Sequence, residues 1–367
     1  MNLTKSIDFL LEHAGPVIQY RLRKEILKDL TQQEEEKLLK QVKLTPHYKL
    51  VESYVKPNGY IGLGMHSWDK FKATPLEDGE TAARLLAYYA IPKESPLIVN
   101  YIRALRDEKI LEAEFSYYKP EMDRFRTRYI GLNNGGGLMV LVYTMQALLG
   151  YGDDEEVKPF LSASYQSFNS MLSINSLDEI TSFNPNSKKK YNYPYVLDDV
   201  ALPCCYHLTA LSYTSSWRNE ESIKTMADAL NHINKIMKEG NNVHIKIGSK
   251  YYVPLGAFVT PLKPFEVNRH SLMMRRTLTE IAGLGVGEHV DIVRQSVENL
   301  KEALAEDGIL RYNFSSAYEK KRFLDSLRYP LAYNEVGLEA DYKKETSIWC
   351  DLTFWAVQFL HLLGQDK

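Results

Sequence analysis

The chain has 367 residues, of which 44% are hydrophobic and 25% are charged. This balance is typical of a globular protein and excludes disordered, fibrous and membrane-embedded classes. Lys and Arg number 45 against 47 Asp and Glu, a net charge of −2. The basic excess that drives binding to nucleic acid or anionic lipid is therefore missing, and we expect neither partner.

The N-terminal region and the cysteines indicate the compartment. The first apolar stretch is short and contains Asp8 and Glu12, unlike the core of a signal peptide. No stretch approaches the ~18 uninterrupted apolar residues of a transmembrane helix. Two of the three cysteines, Cys204 and Cys205, are adjacent and poorly placed to pair with each other. We predict a cytoplasmic protein without a disulfide framework.

Apolar residues recur at steps of three and four and predict a series of α-helical hairpins. The first hairpin covers residues 82–89 and 97–105. Three further hairpins each pair a segment that is apolar on almost every side with one that carries a single apolar stripe: 138–149 with 161–172, 200–211 with 223–237, and 272–284 with 293–304. A last all-round apolar segment covers 348–363. We expect segments of the first kind to be buried and those of the second kind to be half exposed.

Alternation of buried and half-buried helices requires two layers. A closed α/α toroid, a double ring of about 10–12 helices in one domain over residues 1–367, supplies both layers. An open helical array is the alternative. Connections within hairpins are short, whereas those between hairpins are long: 55–80, 108–137, 173–199, 240–270 and 305–347. In a toroid the long loops gather on one rim, at the N-termini of the inner helices, and we predict a polar, tyrosine-rich ligand basin there.

The fourth long loop contains a short β pattern. Residues 243–258 (VHIKIGSKYYVPLGAF) alternate in polarity around Gly248-Ser249. This pattern predicts a small β-hairpin inserted in the helical domain.

Three phrases resemble a known family. The opening FLLEHAGPVIQYRLRKEIL resembles the N-terminal phrase of bacterial prenyltransferase and squalene-oxidase repeat proteins. Asn58-Gly59-Tyr60-Ile61 and Asp307-Gly308-Ile309-Leu310 resemble the Asp-Gly-Gly-Trp/Tyr phrase of those repeats. The resemblance implies an α/α toroid, and prenyl or terpenoid chemistry as one candidate function.

The catalytic signatures of that family are largely absent. Protein prenyltransferases bind zinc through an Asp-x-Cys pair and a distant His, but here Cys350-Asp351 is adjacent and in reversed order. Terpenoid cyclases use Asp-x-Asp-Asp, of which Leu197-Asp198-Asp199-Val200 retains the last two acids. A prenyl or terpenoid enzyme is therefore the second alternative rather than the main hypothesis.

Two places on the predicted rim offer acid–base groups. Asp198 and Asp199 precede an inner helix, and two like charges so close raise the pKa of one carboxyl. Their alternative role is to stabilise the helix N-terminus. His66 lies in the first long loop, followed by Trp68 and Asp69 as candidate substrate-binding residues. The alternative there is an indole that anchors the loop to the core.

Arginines precede two inner helices. Arg124 and Arg126 lie before Asn134 and a run of glycines, where exposed N–H groups and guanidinium groups suit a carboxylate or phosphate. A flexible connector is the alternative. Arg269 and His270 open the next inner helix and offer a second cation or a general acid, with ordinary capping and charge pairing as the alternative.

The remaining substrate-binding candidates are Tyr193 and Tyr195 in the third long loop and Tyr333 and Glu335 in the last one. Phenol and carboxyl groups suit a hydroxylated ligand. The last loop is the longest, and we expect it to form a lid or a substrate wall.

Cys204 and His207 are weak candidates for a metal site. They are soft ligands at a spacing of three and would share one face of a helix. A cysteine and a histidine packed inside an apolar helix are the alternative that we favour. We therefore expect neither a metal nor another cofactor.

Two functions of different classes remain. The first is an enzyme, of hydrolase or lyase type, that acts on a sugar-like or otherwise hydroxylated small substrate, since toroids of this shape are known among glycan hydrolases and lyases. The second is a protein that binds a ligand or peptide without catalysis. Fold alone does not decide between them, and the sequence leaves the oligomeric state open.

Overall fold

The computed structural model describes residues 3–65, 78–114, 136–187, 192–197, 200, 202–238, 240, 243–247, 249–252, 256–268, 273–328 and 335–365. These residues form 15 α-helices and two small sheets, which confirms the predicted all-α class. None of the described helices has the length and apolar character that a bilayer span requires.

The helices follow one another along the whole chain. They are α1 (Thr4–His13), α2 (Pro16–Arg21), α3 (Gln32–Val42), α4 (Pro46–Ser53), α5 (Gly79–Tyr88), α6 (Pro96–Leu105), α7 (Glu108–Glu114), α8 (Gly136–Gln146), α9 (Lys158–Asn169), α10 (Cys205–Ser212), α11 (Glu220–Ile236), α12 (Met274–Gly283), α13 (Asp291–Ala303), α14 (Ala317–Arg328) and α15 (Glu345–Leu362). Short π-helical turns continue α2 over Leu22–Leu27 and α8 over Ala147–Tyr151.

Several helices begin where their sequence supplies a cap. Thr31 and Glu34 form a capping box at α3, because the Thr31 hydroxyl accepts from the Glu34 N–H and the Glu34 carboxylate accepts from the Thr31 N–H. Asp78 caps α5 by accepting from the Thr81 N–H at 2.6 Å. Prolines occupy the first position of α2, α4 and α6, where a missing N–H costs nothing.

The chain divides into two compact units. Unit 1 comprises Met1–Ser116, Pro264–Gly285 and Ile292–Lys367, and unit 2 comprises Tyr117–Lys263 and Val286–Asp291. Unit 1 is thus built from three separate stretches of sequence. The closed toroid and the single domain that we predict for residues 1–367 stay predictions.

Unit 1 has its core around α15, which is buried along most of its length. This helix contacts α1 and α12. Its Trp355 ring lies 5.7 Å from Phe359 and 5.1 Å from Phe265, and the indole N–H donates to the Thr279 hydroxyl on α12 at 3.0 Å. The helix therefore joins the C-terminal stretch of unit 1 to its N-terminal and central stretches.

Unit 2 contains α8 to α11. Residues 205–211 of α10 are all buried, because this helix contacts both α8 and α9. Helix α11 contacts α9 and carries the single buried stripe predicted for it, which includes Met226, Leu230 and Ile233. The predicted contrast between fully buried and half-buried helices is confirmed for this pair.

Two antiparallel sheets of two strands each lie in the loops of unit 2. Strand β1 (Thr181–Ser182) pairs with β2 (Tyr195–Val196), and β3 (Ile245–Ile247) pairs with β4 (Lys250–Tyr252) in the register Ile245 to Tyr252. The β3–β4 pair confirms the predicted hairpin, in a narrower form than 243–258. A parallel bridge between Tyr195 and His244 connects β2 to β3.

The helix boundaries differ from the predicted ones in two respects. The segment 200–211 is helical only from Cys205, since Cys204 is extended, with φ −139° and ψ 168°, and bridges to Ala257. Pro203, which lacks an N–H, precedes this point. Helices α1 to α4 precede the first predicted hairpin, and α7 and α14 occupy stretches predicted as long loops.

Helix α12 is buried, as predicted for 272–284, but it is not apolar. Arg275, Arg276 and Glu280 are each at most 4% exposed. A charged side chain is almost never buried without a partner, so these three residues indicate a polar interior in this part of unit 1.

Candidate functional site

Helices α5 and α12 each bury an ion pair at a spacing of four residues. On α5 the Arg84 Nη2 lies 2.8 Å from the Glu80 Oε1, and on α12 the Arg276 Nε lies 2.9 Å from the Glu280 Oε1. All four side chains are at most 3% exposed. A spacing of four places both partners on one face of a helix, so each helix carries its own pair into the interior of unit 1.

A third pair connects α12 to the segment before α15. The Arg275 Nε lies 2.8 Å from the Glu335 Oε2, and the Arg275 backbone N–H donates to the Glu335 Oε1 at 3.2 Å. Consecutive residues on a helix point about 100° apart, so Arg275 and Arg276 reach different partners. We refer to these six residues, Glu80, Arg84, Arg275, Arg276, Glu280 and Glu335, as the charged cluster.

Two partly accessible tyrosines, Tyr88 and Tyr312, interact electrostatically with members of the three pairs. Burial and the Glu280 carboxylate raise the pKa of Tyr88, while Arg84 and Arg276 lower it. Tyr88 therefore interacts electrostatically with the ion pair on α5 and with the ion pair on α12. Burial raises the pKa of Tyr312 against the opposite effect of Arg275. Both phenols stay protonated at neutral pH.

Two arginines of the charged cluster keep donors unused. The Nε and Nη1 of Arg84 and the Nη2 of Arg275 are buried without a hydrogen-bond partner among the described residues. A buried donor left in this state costs about 1–3 kcal/mol, and more when it is charged. An acceptor bound between these groups would recover that free energy.

Glu335 has a raised pKa, so it can exchange a proton near neutral pH. Its burial raises its pKa to about 7, although Arg275 and its backbone N–H act in the opposite direction, and the Asp351 carboxyl adds to the rise. A carboxyl group with this pKa is populated in both protonation states at neutral pH. That property suits a general acid or base.

Two further acids hold the segment that carries Glu335. Asp351 on α15 accepts hydrogen bonds from the Tyr342 hydroxyl and, at 3.2 Å, from the Leu338 N–H. Glu339 accepts from the Gly15 N–H at 2.8 Å, and burial raises its pKa to about 7. Unlike Glu335, neither carboxyl forms an ion pair with an arginine among the described residues, and we assign both to positioning of the segment rather than to chemistry.

Most of the predicted site residues lie outside the described residues and stay predictions. They are His66, Trp68, Asp69, Arg124, Arg126, Asn134, Asp198, Asp199, Arg269, His270 and Tyr333. Of the substrate-binding candidates in unit 1, Glu335 is described, and it lies in the charged cluster.

Tyr193 and Tyr195 lie in an aromatic group of unit 2. The Tyr193 ring stacks on His244 with centroids 4.1 Å apart and an angle of 15°. The Lys246 ammonium lies 4.5 Å from the centroid of Tyr195, and Tyr251 meets both tyrosines edge to face. The structure thus brings these two predicted residues together with the β3–β4 hairpin.

The weak metal candidates Cys204 and His207 do not share a helical face, because Cys204 precedes the first turn of α10 in extended conformation. The His207 Nδ1 lies 2.9 Å from the Ser167 hydroxyl, and burial lowers the pKa of this histidine to about 3. The described parts of the chain contain no group of three or more His, Cys, Asp or Glu side chains that fits a metal ion. The shared helical face that their spacing predicted is therefore wrong.

Five of the six residues of the charged cluster were not predicted as site residues from the sequence. A signal was present in α12, where Arg275, Arg276 and Glu280 interrupt an otherwise apolar stretch. Charges inside a segment that periodicity predicts to be buried indicate either a partner or a ligand.

Comparison of the chain with protein-family models, with curated proteins and with solved structures gave no match.

Proposed function

We propose that this chain is an enzyme of hydrolase or lyase type that acts on a hydroxylated, sugar-like small molecule at the charged cluster, with Glu335 as the proton-transferring group. The observation that supports this most is the pairing of Arg275 with Glu335 beside the partly accessible Tyr312. Arg275 fixes the carboxyl through two contacts, so the group that transfers the proton is held in one orientation.

The charge arrangement also supports a polar substrate. Three arginines and three glutamates lie in the interior of unit 1, where an isoprenoid would require an apolar wall. The prenyl or terpenoid alternative, suggested by the resemblance to squalene-oxidase repeat proteins, therefore has less support. The toroid that this resemblance implies, and the cytoplasmic location, remain part of the proposal.

Turnover of a glycoside and oligosaccharide library tests the enzyme hypothesis. We expect Glu335→Gln to lower kcat by about 10²–10⁴, because the amide accepts the hydrogen bond but transfers no proton. The wild-type pH–rate profile should show a limb near pH 7, from the pKa of about 7, that the variant lacks.

Glu302 on α13 is exposed and supplies the control, Glu302→Gln, which should retain the wild-type rate and profile. Full activity of Glu335→Gln on a substrate that the wild type turns over would reject Glu335 as the proton-transferring group. Asp198→Asn and Asp199→Asn test the other predicted acid–base pair in the same assay.

The second candidate is a ligand-binding protein without catalysis. It is favoured by one observation, namely that each carboxylate of the charged cluster is already paired with an arginine. Saturable binding of a small hydroxylated ligand by the wild type and by Glu335→Gln, with no turnover by either, would support this candidate over the enzyme.

A further inference from the structure

We infer that Arg84 and Arg275 form a subsite for a monoanionic carboxylate, so that the ligand of the charged cluster is a hydroxylated monocarboxylic acid. This inference rests on the proposed function and names the class of its substrate.

Both arginines have buried N–H donors without a hydrogen-bond partner among the described residues. Arg84 is 2% exposed, and its Nε and Nη1 hold three of the five N–H donors of the guanidinium group. Arg275 is 4% exposed and keeps its Nη2 without a partner among the described residues. Guanidinium donors bind planar oxyanions best, since their fork geometry matches a carboxylate.

Electrostatic interactions through Tyr88 and Glu335 relate the two arginines. Arg84 and Tyr88 are four residues apart on α5 and therefore share a face. Tyr88 interacts electrostatically with both Arg84 and Glu335, and Glu335 is the ion-pair partner of Arg275. Tyr88 and Glu335 thus link the unused donors of α5 to those of α12.

The charges of the charged cluster favour a ligand with a single negative charge. The charged cluster holds three arginines and three glutamates, with the Asp351 carboxyl beside it, so an added anion stays unbalanced unless one glutamate takes up a proton. Glu335 is the glutamate whose protonation lies in the neutral range. The groups that face it are Arg275 and Arg276 from α12, Asp351 from α15, and the two protonated phenols Tyr88 and Tyr312.

Binding of the carboxylate is therefore coupled to proton uptake. A phosphate dianion would bring a second charge that Glu335 alone does not balance. We expect a carboxylate to bind more tightly at pH 6 than at pH 8, whereas a neutral sugar should show little change.

Isothermal titration of the full chain with D-glucuronate, D-gluconate, D-glucose and D-glucose 6-phosphate at pH 6 and pH 8 tests the inference. The two carboxylates should bind about tenfold or more tighter than glucose at pH 6 and lose part of this preference at pH 8. Arg84→Met should remove the preference, while Arg103→Met, which changes an exposed arginine of α6, should leave it unchanged.

Glu335→Gln provides a second readout if Arg84→Met fails to fold. In this variant the carboxylate affinity should no longer depend on pH between 6 and 8. Failure of both carboxylates to bind, or equal binding of glucose, would overturn the subsite. Tighter binding of the phosphate than of either carboxylate would overturn the choice of a carboxylate.

The outcomes separate this inference from the proposed function. Turnover of neutral glycosides that depends on Glu335, without any preference for carboxylates, would refute the subsite and keep the enzyme. Carboxylate binding that depends on Arg84, without turnover of any library member, would keep the subsite and refute the enzyme.

Discussion

Glu339 is buried next to the charged cluster but is bound only to backbone in the described structure. Its carboxylate accepts from the Gly15 N–H, and burial with the nearby Asp351 and Asp341 raises its pKa from 4.5 to about 7. The folded state therefore binds a proton that the unfolded state releases between these two values. This glutamate lowers the stability of unit 1 as the pH rises from about 4.5 to 7.

We predict that Glu339→Gln stabilises the protein at pH 8 and leaves it nearly unchanged at pH 4. The amide still accepts from Gly15, and it removes a buried charge whose cost is at most about 3 kcal/mol for a pKa shift of this size. Chemical denaturation at pH 4, 6 and 8 measures the difference. Exposed Glu302→Gln is the control, and a gain that did not increase with pH would contradict the prediction.

Among the six residues of the charged cluster, the sequence indicated Glu335 alone as a site residue. Glu335 was selected because it lies in a long loop with tyrosines. Arg84 and Glu80 were not predicted as site residues. Charged pairs at a spacing of four are common on exposed helix faces, and such a pair has the same sequence pattern on a buried face. Only packing against other helices, which involves residues distant in sequence, decides between the two.

At the scale of elements, the start of α5 depends on a glycine. A Cβ on Gly79 would clash with the Tyr101 hydroxyl and lie 2.7 Å from that of Tyr60. Both tyrosines are fully buried, and their rings meet edge to face at 5.7 Å. The close approach of these rings fixes the position of the helix that carries Glu80 and Arg84.

We predict that Gly79→Ala destabilises unit 1 by about 1–3 kcal/mol, because the tyrosines must move to admit the methyl group. Combining it with Tyr101→Phe, which removes the nearest obstacle, should cost less than the sum of the two single changes. Denaturant unfolding of the four proteins of this double-mutant cycle measures the interaction. Strict additivity would show that the hydroxyl is not the obstacle.

The positions of helices with strong periodicity were predictable, and their ends were less so. The stripes of α9, α11 and α13 repeat over three or more turns and identify these helices from sequence alone. Helix α14 was not predicted, because few of its described side chains are buried and they form no long apolar stripe: Phe323, Ser326 and Leu327. The late start of α10 depends on the bridge from Cys204 to Ala257, a contact that no local pattern indicates.

The first and last described helices pack against each other within unit 1. Helix α1 contacts α15, and Ser6 on α1 donates to the Gly308 carbonyl at 2.6 Å. Leu10 on α1 is fully buried, whereas its neighbour Leu11 is 37% exposed. These adjacent leucines allow the closure to be tested with a matched pair of substitutions.

We predict that Leu10→Ala costs about 2–5 kcal/mol, the usual range for a buried leucine, and that Leu11→Ala changes stability by less than about 0.5 kcal/mol. Chemical denaturation gives both values. Hydrogen exchange should accelerate in α15 for Leu10→Ala only. Equal effects of the two substitutions would contradict the contact between α1 and α15.

The sequence did not predict that unit 1 is discontinuous. Periodicity within short windows detects helices but not which of them share a core, since that depends on contacts between distant segments. The boundaries at Ser116 and Pro264 depend on contacts between distant segments and were not predicted from the sequence. The closed toroid that the hairpins suggest is likewise a hypothesis about which helices pack together.

The discontinuity has a consequence for synthesis on the ribosome. After Ser116 has been added, roughly 150 residues follow before the next stretch of unit 1 begins, which takes about 7–30 s at typical rates of translation. During this interval α15 does not yet exist, so the surface of α1 that contacts it in the folded protein stays in water. We therefore expect slower synthesis of residues 117–263 to increase aggregation of the newly made chain.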